Sequence, residues 1–350
     1  MTTTVNSGAS SSAIDPVVQQ VRPGVWSVPV FWPRSSLRYT LAYLLSTDDG
    51  AVLVDTGWPT DTGWESLVEG VEQTGHDITA ITDVLVTHSH PDHLGMAAKV
   101  RAASGARIGM HPAEADHVGR LRLPGTWQRT ADWLRARGAP AAEAAEIIER
   151  ITAATVWYRE LAVPDVLIDD GTLPVPGLAL RAIWTPGHSP GHLCFYAEDR
   201  GLLLTGDHVL PRISPHIGLD GDEDADPLGR YLASLAAMAV YDADEVLPAH
   251  EYRFTGLGER VASLLTHHQA RLAEIELAVA AQPGVSTWRV AEMLTWSRGW
   301  EQTTGMTRRA AVSETLAHLV HLRSQQRAVN DATAGVDAWR PGPRAVAGWQ

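Results

Sequence analysis

Thr87-His88-Ser89-His90-Pro91-Asp92-His93 places three imidazoles and one carboxylate within a single short loop. Imidazole nitrogen and carboxylate oxygen are the usual ligands of Zn²⁺ and its neighbours. His88 and His90 stand two apart, so in an extended chain they point to the same side. Pro91 then turns the chain, and Asp92 and His93 can face a second point in space. One loop can therefore hold two divalent ions side by side, and two ions a few ångströms apart form a hydrolytic site.

Outward from this loop the chain alternates. Residues 81–87 are a short apolar strand that delivers the loop at its C-terminal end. Residues 94–100 start a helix, and 107–111 form a strand again. Upstream, 17–30 and 38–55 read as strands, the second folding back at Asp48-Asp49-Gly50 as a hairpin. Residues 62–74 read as a helix ending near Gly75. Alternation of this kind implies a layered α/β protein.

Three later segments repeat one layout, an apolar strand followed by small or Pro residues and then a metal-competent side chain. They end in Pro186-Gly187-His188, Thr205-Gly206-Asp207 and Pro248-Ala249-His250. Strand ends are where an α/β scaffold gathers groups distant in sequence, and a glycine beside a ligand allows close approach of the backbone. The other histidines read differently. His192 is a neighbour of the ligands or a core residue, and His208 points away from Asp207. His111 is structural, His216 is a candidate substrate contact, and His267 and His268 are surface or interdomain residues.

Residues 112–163 interrupt the rhythm with two or three helices, read as a helical insertion or a lid. Trp127, Trp133, Trp157 and Tyr158 would give a pocket an apolar ceiling. Residues 218–227 read as a solvated acidic loop. From 258 onward the pattern is helical, over 258–281, 286–294 and 307–326. Residues 1–16 are expected to be flexible, and 328–350 to be a loose tail.

The chain has 350 residues, 45% hydrophobic and 20% charged, which suits one large globular domain with a small second one. A net charge of −13 gives no long-range attraction to nucleic acid and disfavours such a partner. No apolar run is long enough to span a bilayer, and the N-terminus does not read as a secretion signal. The single cysteine, Cys194, sits in an apolar strand as an inert buried thiol, so a reducing, cytoplasmic compartment is expected. Thirteen tryptophans against three phenylalanines suggest aromatic walls for an apolar ligand or the face of a homodimer.

Together with Val54-Asp55-Thr56-Gly57, the motifs His88-x-His90-x-Asp92-His93, Pro186-Gly187-His188, Thr205-Gly206-Asp207 and Pro248-Ala249-His250 resemble those of metallo-β-lactamase superfamily hydrolases. The resemblance implies an αββα sandwich over residues 17–257, with the site along one edge of two sheets. It implies that His88, His90 and His188 hold one metal, that Asp92, His93 and His250 hold a second, and that Asp207 bridges both. Asp55 would be structural, hydrogen-bonding near the histidine loop. Residues 258–327 resemble, more loosely, the winged-helix-like domain that one branch carries. Two departures are Ala249, where the family often has glycine, and Glu251, which adds negative charge beside the last ligand.

The implied cofactors are two divalent ions, Zn²⁺ first and Fe²⁺ or Mn²⁺ as alternatives. A hydroxide between them would attack a small acyl substrate, a thioester, ester or lactone. Asp92 would orient the nucleophile or pass a proton to the leaving group. The alternative is cleavage of single-stranded RNA, for which Arg298, Arg308, Arg309 and Arg323 are the candidate contacts.

Overall fold

The computed structural model describes residues 16–32, 37–123, 128–173, 175, 177–219, 225–332 and 335–345, without the side chains of residues 128 and 152–159. The expected flexible N-terminus up to residue 15, Trp127, residues 220–224 of the acidic loop and the side chains of Trp157 and Tyr158 lie outside the described residues.

The first half of the chain builds a seven-stranded sheet. Its strands are β1 (Gln19–Arg22), β2 (Val25–Phe31), β3 (Tyr39–Thr47), β4 (Gly50–Val54), β5 (Ile81–Leu85), β6 (Arg107–Met110) and β7 (Val166–Leu167), arranged in chain order. The expected hairpin is β3–β4, antiparallel, whereas β4 to β7 run parallel. A second, five-stranded sheet is formed by β8 (Gly171–Thr172), β9 (Leu180–Trp184), β10 (Leu193–Ala197), β11 (Leu202–Gly206) and β12 (Glu245–Pro248). Helices α1 (Asp61–Gln73), α2 (Pro91–Leu94) and α3 (Ala97–Ser104) belong to the first half, and α4 (Pro112–Leu121), α5 (Gln128–Ala136) and α6 (Ala141–Glu160) to the insertion. α7 (Pro227–Ala237) precedes β12, and α8 (Leu257–Ala281), α9 (Thr287–Met293) and α10 (Gly305–Ser324) follow it.

Side-chain alternation shows how the layers stack. Leu41, Tyr43 and Leu45 of β3 meet Leu193 and Phe195 of β10 between the sheets. Ala42 and Leu44 face the other way, against Leu67 and Val71 of α1. Cys194 and Tyr196 of β10 face outward onto Leu235 of α7, Leu264 of α8 and Leu319 of α10. Strands covered on both faces need apolar residues throughout, as in the continuous run of β10. The fold is thus the expected αββα sandwich, with a helical insertion and a helical C-terminal region. Among the described residues no helix is long and apolar enough to cross a membrane.

Three expectations are corrected and a fourth is narrowed. The tail is not loose up to residue 345: β13 (Ala328–Asn330) and β14 (Trp339–Pro341) pair antiparallel, and Trp339 is fully buried. Strands of three residues carry too few alternations to be read from sequence. The boundary at 257/258 divides no core, because Val261, Leu264 and Leu272 of α8 share one apolar cluster with the five-stranded sheet. Trp133, expected in a pocket ceiling, packs among Leu134, Ile147, Trp288 and Val312 of the helical region. Of the two expectations for His268, the surface one fails and the interdomain one fits: it is buried, its ring edge-on to Tyr231 of α7 and its Nδ1 3.1 Å from Nε2 of His318.

Candidate metal centre

β4, β5, β9, β11 and β12 all end at one edge of the sandwich, and each is followed by a residue of the predicted set or its support. After β4 comes Asp55, whose left-handed φ of 59° re-aims the chain. After β5 comes the histidine loop, with His90 leading into α2 and Pro91 at its first turn. His188, Asp207 and His250 follow β9, β11 and β12. Backbone bonds stitch the edge together: Leu193 N–H donates to Thr87 O at 2.8 Å and Ala249 N–H to Gly206 O at 3.0 Å. Gly206 is left-handed at φ 49°, and a Cβ there would lie 2.8 Å from Nε2 of His192 and 2.9 Å from Thr87. Its glycine thus serves the approach of neighbouring side chains.

All seven predicted ligands converge, in two groups. His88 Nε2, His90 Nδ1 and His188 Nε2 lie 2.9–3.1 Å apart. Nitrogens around a tetrahedral ion at Zn–N of about 2.0–2.1 Å would sit roughly 3.3 Å apart, close to this spacing. Asp207 Oδ2 is 3.6 Å from His188 Nε2, and its Oδ1 is 3.5 Å from His93 Nε2 and 3.3 Å from His250 Nε2. Asp92 Oδ2 lies 3.3 Å from His250 Nε2. One oxygen of Asp207 therefore faces each group. The donor atoms within His88, His90, His188 and Asp207, and within Asp92, His93 and His250, lie within 4.8 Å of one another.

The cluster is unsatisfied without a cation. Nε2 of His93, Nε2 of His250 and Oδ1 of Asp207 are buried and make no hydrogen bond. Buried polar atoms are ordinarily paired, so three orphaned donor atoms facing one point fit a metal. The electrostatics agree. Burial opposes protonation of His93, but Asp207, Asp55 and Asp92 outweigh it and lift its pKa to about 9. Burial and His188 push His90 down to about 3. Burial raises Asp92, but His93 and His250 hold it at about 2. The two carboxylates thus call for positive charge, and the first three imidazoles present neutral lone pairs.

The outer ring nitrogens are held from behind. His93 Nδ1 donates to Asp55 Oδ2 at 2.7 Å, and Asp55 also accepts from Thr87 N–H and Oγ1–H, both at 2.8 Å. His188 Nδ1 donates to His216 O at 2.7 Å, and His250 Nδ1 faces Tyr39 O at 3.4 Å. Such bonds fix the tautomer that points Nε2 at a metal. His192 supports the backbone: its Nε2 accepts from Asp207 N–H at 3.2 Å and its Nδ1 meets Thr185 Oγ1 at 2.8 Å. His111 caps α4, accepting from Ala113 N–H. Glu251 adds no charge aimed at the ligands, because its carboxylate takes Arg212 N–H, Arg212 Nε–H and Ile213 N–H.

Sequence reasoning missed Glu114. It is fully buried and accepts from Ser89 N–H at 2.8 Å, Ser189 Oγ–H at 2.9 Å and Gly191 N–H at 2.8 Å. It staples the histidine loop to the His188 loop. Its only signal is an acidic residue in a first helical turn, which ordinary helices also show.

Comparison with known proteins agrees with this geometry. The sequence profile described as "Metallo-beta-lactamase superfamily" matches residues 36–250. A metallo-beta-lactamase family protein of Thermus thermophilus, of known structure, is 30% identical, with TM-score 0.77 over 92% of this chain and 100% of that one. Lactamase-like protein nscB of Aspergillus fumigatus is 29% identical over 68% of this chain and 56% of its own length. A protein named thioesterase pkgB, from Emericella nidulans, is 27% identical over 70% of this chain and 55% of its own length. The aligned stretch is thus little more than half of these two fungal relatives. The chain belongs to the metallo-β-lactamase superfamily.

Proposed function

We propose that this chain is a dinuclear metal-dependent hydrolase of a small acyl substrate, with thioesters ranked ahead of esters and lactones. The observation that carries the reading is the buried set of seven donors in two groups that share Asp207. His88, His90 and His188 are assigned to one ion, Asp92, His93 and His250 to the other, and Asp207 to both. Zn²⁺ suits the mixed nitrogen and oxygen donors, and Fe²⁺ or Mn²⁺ are the alternatives. When bound, such ions supply a nucleophile at neutral pH and polarise the acyl carbonyl.

The chain's own residues do the rest. Asp55 and the carbonyls of His216 and Tyr39 hold three imidazoles in one tautomer. Asp92, a carboxylate with 9% exposure, is assigned to orient the attacking water or to take its proton and pass it to the leaving group. The superfamily's members are mostly hydrolases, and the likeness to a protein named a thioesterase favours the thioester. The RNA reading is weakened because Arg308 is buried against Glu143 and Arg309 lies over the Trp133 ring. We assign α8 to α10 with the β13–β14 hairpin as the winged-helix-like part.

The test is hydrolysis of a mixed acyl-thioester panel by Zn²⁺- or Mn²⁺-loaded protein, with Asp92→Ala as the blank. Turnover that falls by about 10²-fold or more in the variant supports the assignment. Absence of turnover across thioesters, esters and lactones, with two ions per chain verified by elemental analysis, overturns it.

A further inference from the structure

The His188 imidazole takes its orientation from a backbone carbonyl, that of His216. A carbonyl only accepts, so Nδ1 carries the proton and Nε2 turns its lone pair toward His88 and His90. The direction of this ring therefore depends on what holds residue 216 in place.

The C-terminal helices hold it. Glu314 of α10 brings Oε2 to 3.5 Å from Nδ1 of His216. Ser313, its neighbour on α10, accepts from Leu219 N–H at 2.8 Å. On the other side of His216, Arg260 of α8 donates to Leu210 O at 2.6 Å and to Ile213 O at 2.7 Å. The loop is pressed onto α10: a Cβ on Gly218 would lie 2.5 Å from His216 Nε2 and 2.7 Å from Ser313 Oγ. Burial raises the Glu314 carboxyl, but His216, His318 and Arg271 hold it at about 2, so it is a carboxylate.

We propose that Glu314 is a positioning residue for the metal centre, anchoring the His216 ring so that the His216 carbonyl sets the tautomer and direction of His188. The inference rests on the assignment of His188 as a ligand. It makes the C-terminal helical region part of the site, although none of the seven predicted ligands comes from it.

The experiment is a Co²⁺ titration of the full chain, followed by visible absorption and chelator competition, for wild type, Glu314→Ala, Glu314→Gln and Ser313→Ala. Wild type takes two equivalents. Glu314→Ala keeps one at wild-type affinity and binds the other roughly 10-fold or more weakly, with an altered absorption spectrum. Glu314→Gln restores much of that affinity, because the amide oxygen still accepts from His216. Ser313→Ala, which removes the Leu219 anchor, weakens the same equivalent less, and carries the test if Glu314→Ala does not fold. Two equivalents with wild-type affinities and spectrum in Glu314→Ala overturn the proposal. So does equal weakening of both equivalents in step with the melting temperature of the metal-free variants, which marks a purely structural carboxylate. Wild type that takes up no metal overturns the assignment of the ligands and this inference with it.

Discussion

Glu114 is a single residue on which the histidine loop and the His188 loop both depend. Three donors converge on its carboxylate, Ser89 N–H, Ser189 Oγ–H and Gly191 N–H, all in a region closed to water. A donor stranded in such a place costs about 1–3 kcal/mol. Glu114→Ala is therefore expected to lose several kcal/mol of stability, and Glu114→Gln, which keeps acceptor oxygen, distinctly less. Urea unfolding of the metal-free protein measures both; an Ala variant within about 1 kcal/mol of wild type would show the staple to be idle. The contrast between Glu114 and the seven candidate ligands shows what a sequence can disclose at this scale. His88, His90, Asp92 and His93 are legible because four donors crowd one loop. His188, Asp207 and His250 each follow a strand with the same layout. Asp55 was legible from its motif. The carbonyls of His216 and Tyr39, which orient His188 and His250, belong to no residue type and leave no mark in a sequence.

At the scale of elements, the insertion and the C-terminal segment form one unit. α5 and α6 bury Leu134, Ile147 and Ile151 against Trp288 of α9 and Val312 of α10. A buried ion pair closes the arrangement: Arg137, just after α5, reaches both oxygens of Asp337 at 2.8 Å. Asp337 also accepts from Thr287 Oγ1–H and from Asn330 Nδ2–H, and Thr287 in turn accepts from Trp339 Nε1–H. Segments some 200 residues apart in sequence are thus tied into one node. The helices themselves were legible from apolar periodicity and Pro-Gly breaks, but their partners were not. The tryptophans fit a pocket wall and a helix interface equally well in composition, and the decision rests on contacts far apart in the chain. Removing one partner of a buried pair leaves an uncompensated charge and costs about 3–5 kcal/mol. Arg137→Met should therefore lower guanidinium-derived stability by that order. It should also raise hydrogen exchange at Gly284 and Trp339, whose N–H groups bond Trp339 O and Val285 O. Unchanged exchange there would show that the hairpin is held by its apolar contacts alone.

Across the whole molecule, the helical region and the five-stranded sheet share one core, and that seam carries a buried histidine pair. His318 Nδ1 donates to Glu314 O at 2.8 Å, so its Nε2 is the acceptor for His268 Nδ1–H at 3.1 Å. The far nitrogen of His268 makes no hydrogen bond, and its ring lies edge-on to Tyr231 of α7. Burial, with His318 and His267 nearby, pushes His268 down to about 3. Burial pushes His318 to about 4, against the pull of Glu314. Both folded values lie below the ordinary 6.5. The unfolded chain therefore binds protons that the folded chain refuses once pH drops below 6.5, and by linkage stability falls as pH falls. The loss opens near pH 6.5 and continues to about 4 and then 3, the folded values. Nothing is gained above 6.5, where both states are neutral. His90 and Asp92 of the donor cluster, at about 3 and about 2, also titrate in acid, so the pair's share emerges only as a difference between variants. A His268→Leu, His318→Leu double variant should show a shallower fall in denaturation midpoint between pH 6.5 and 4 than wild type, both metal-free, and the same slope from pH 7 to 8. Parallel curves throughout would mean that the folded pair takes up protons as readily as the unfolded chain does, or that acid opens the seam elsewhere first, and would remove these histidines from the account of its acid stability.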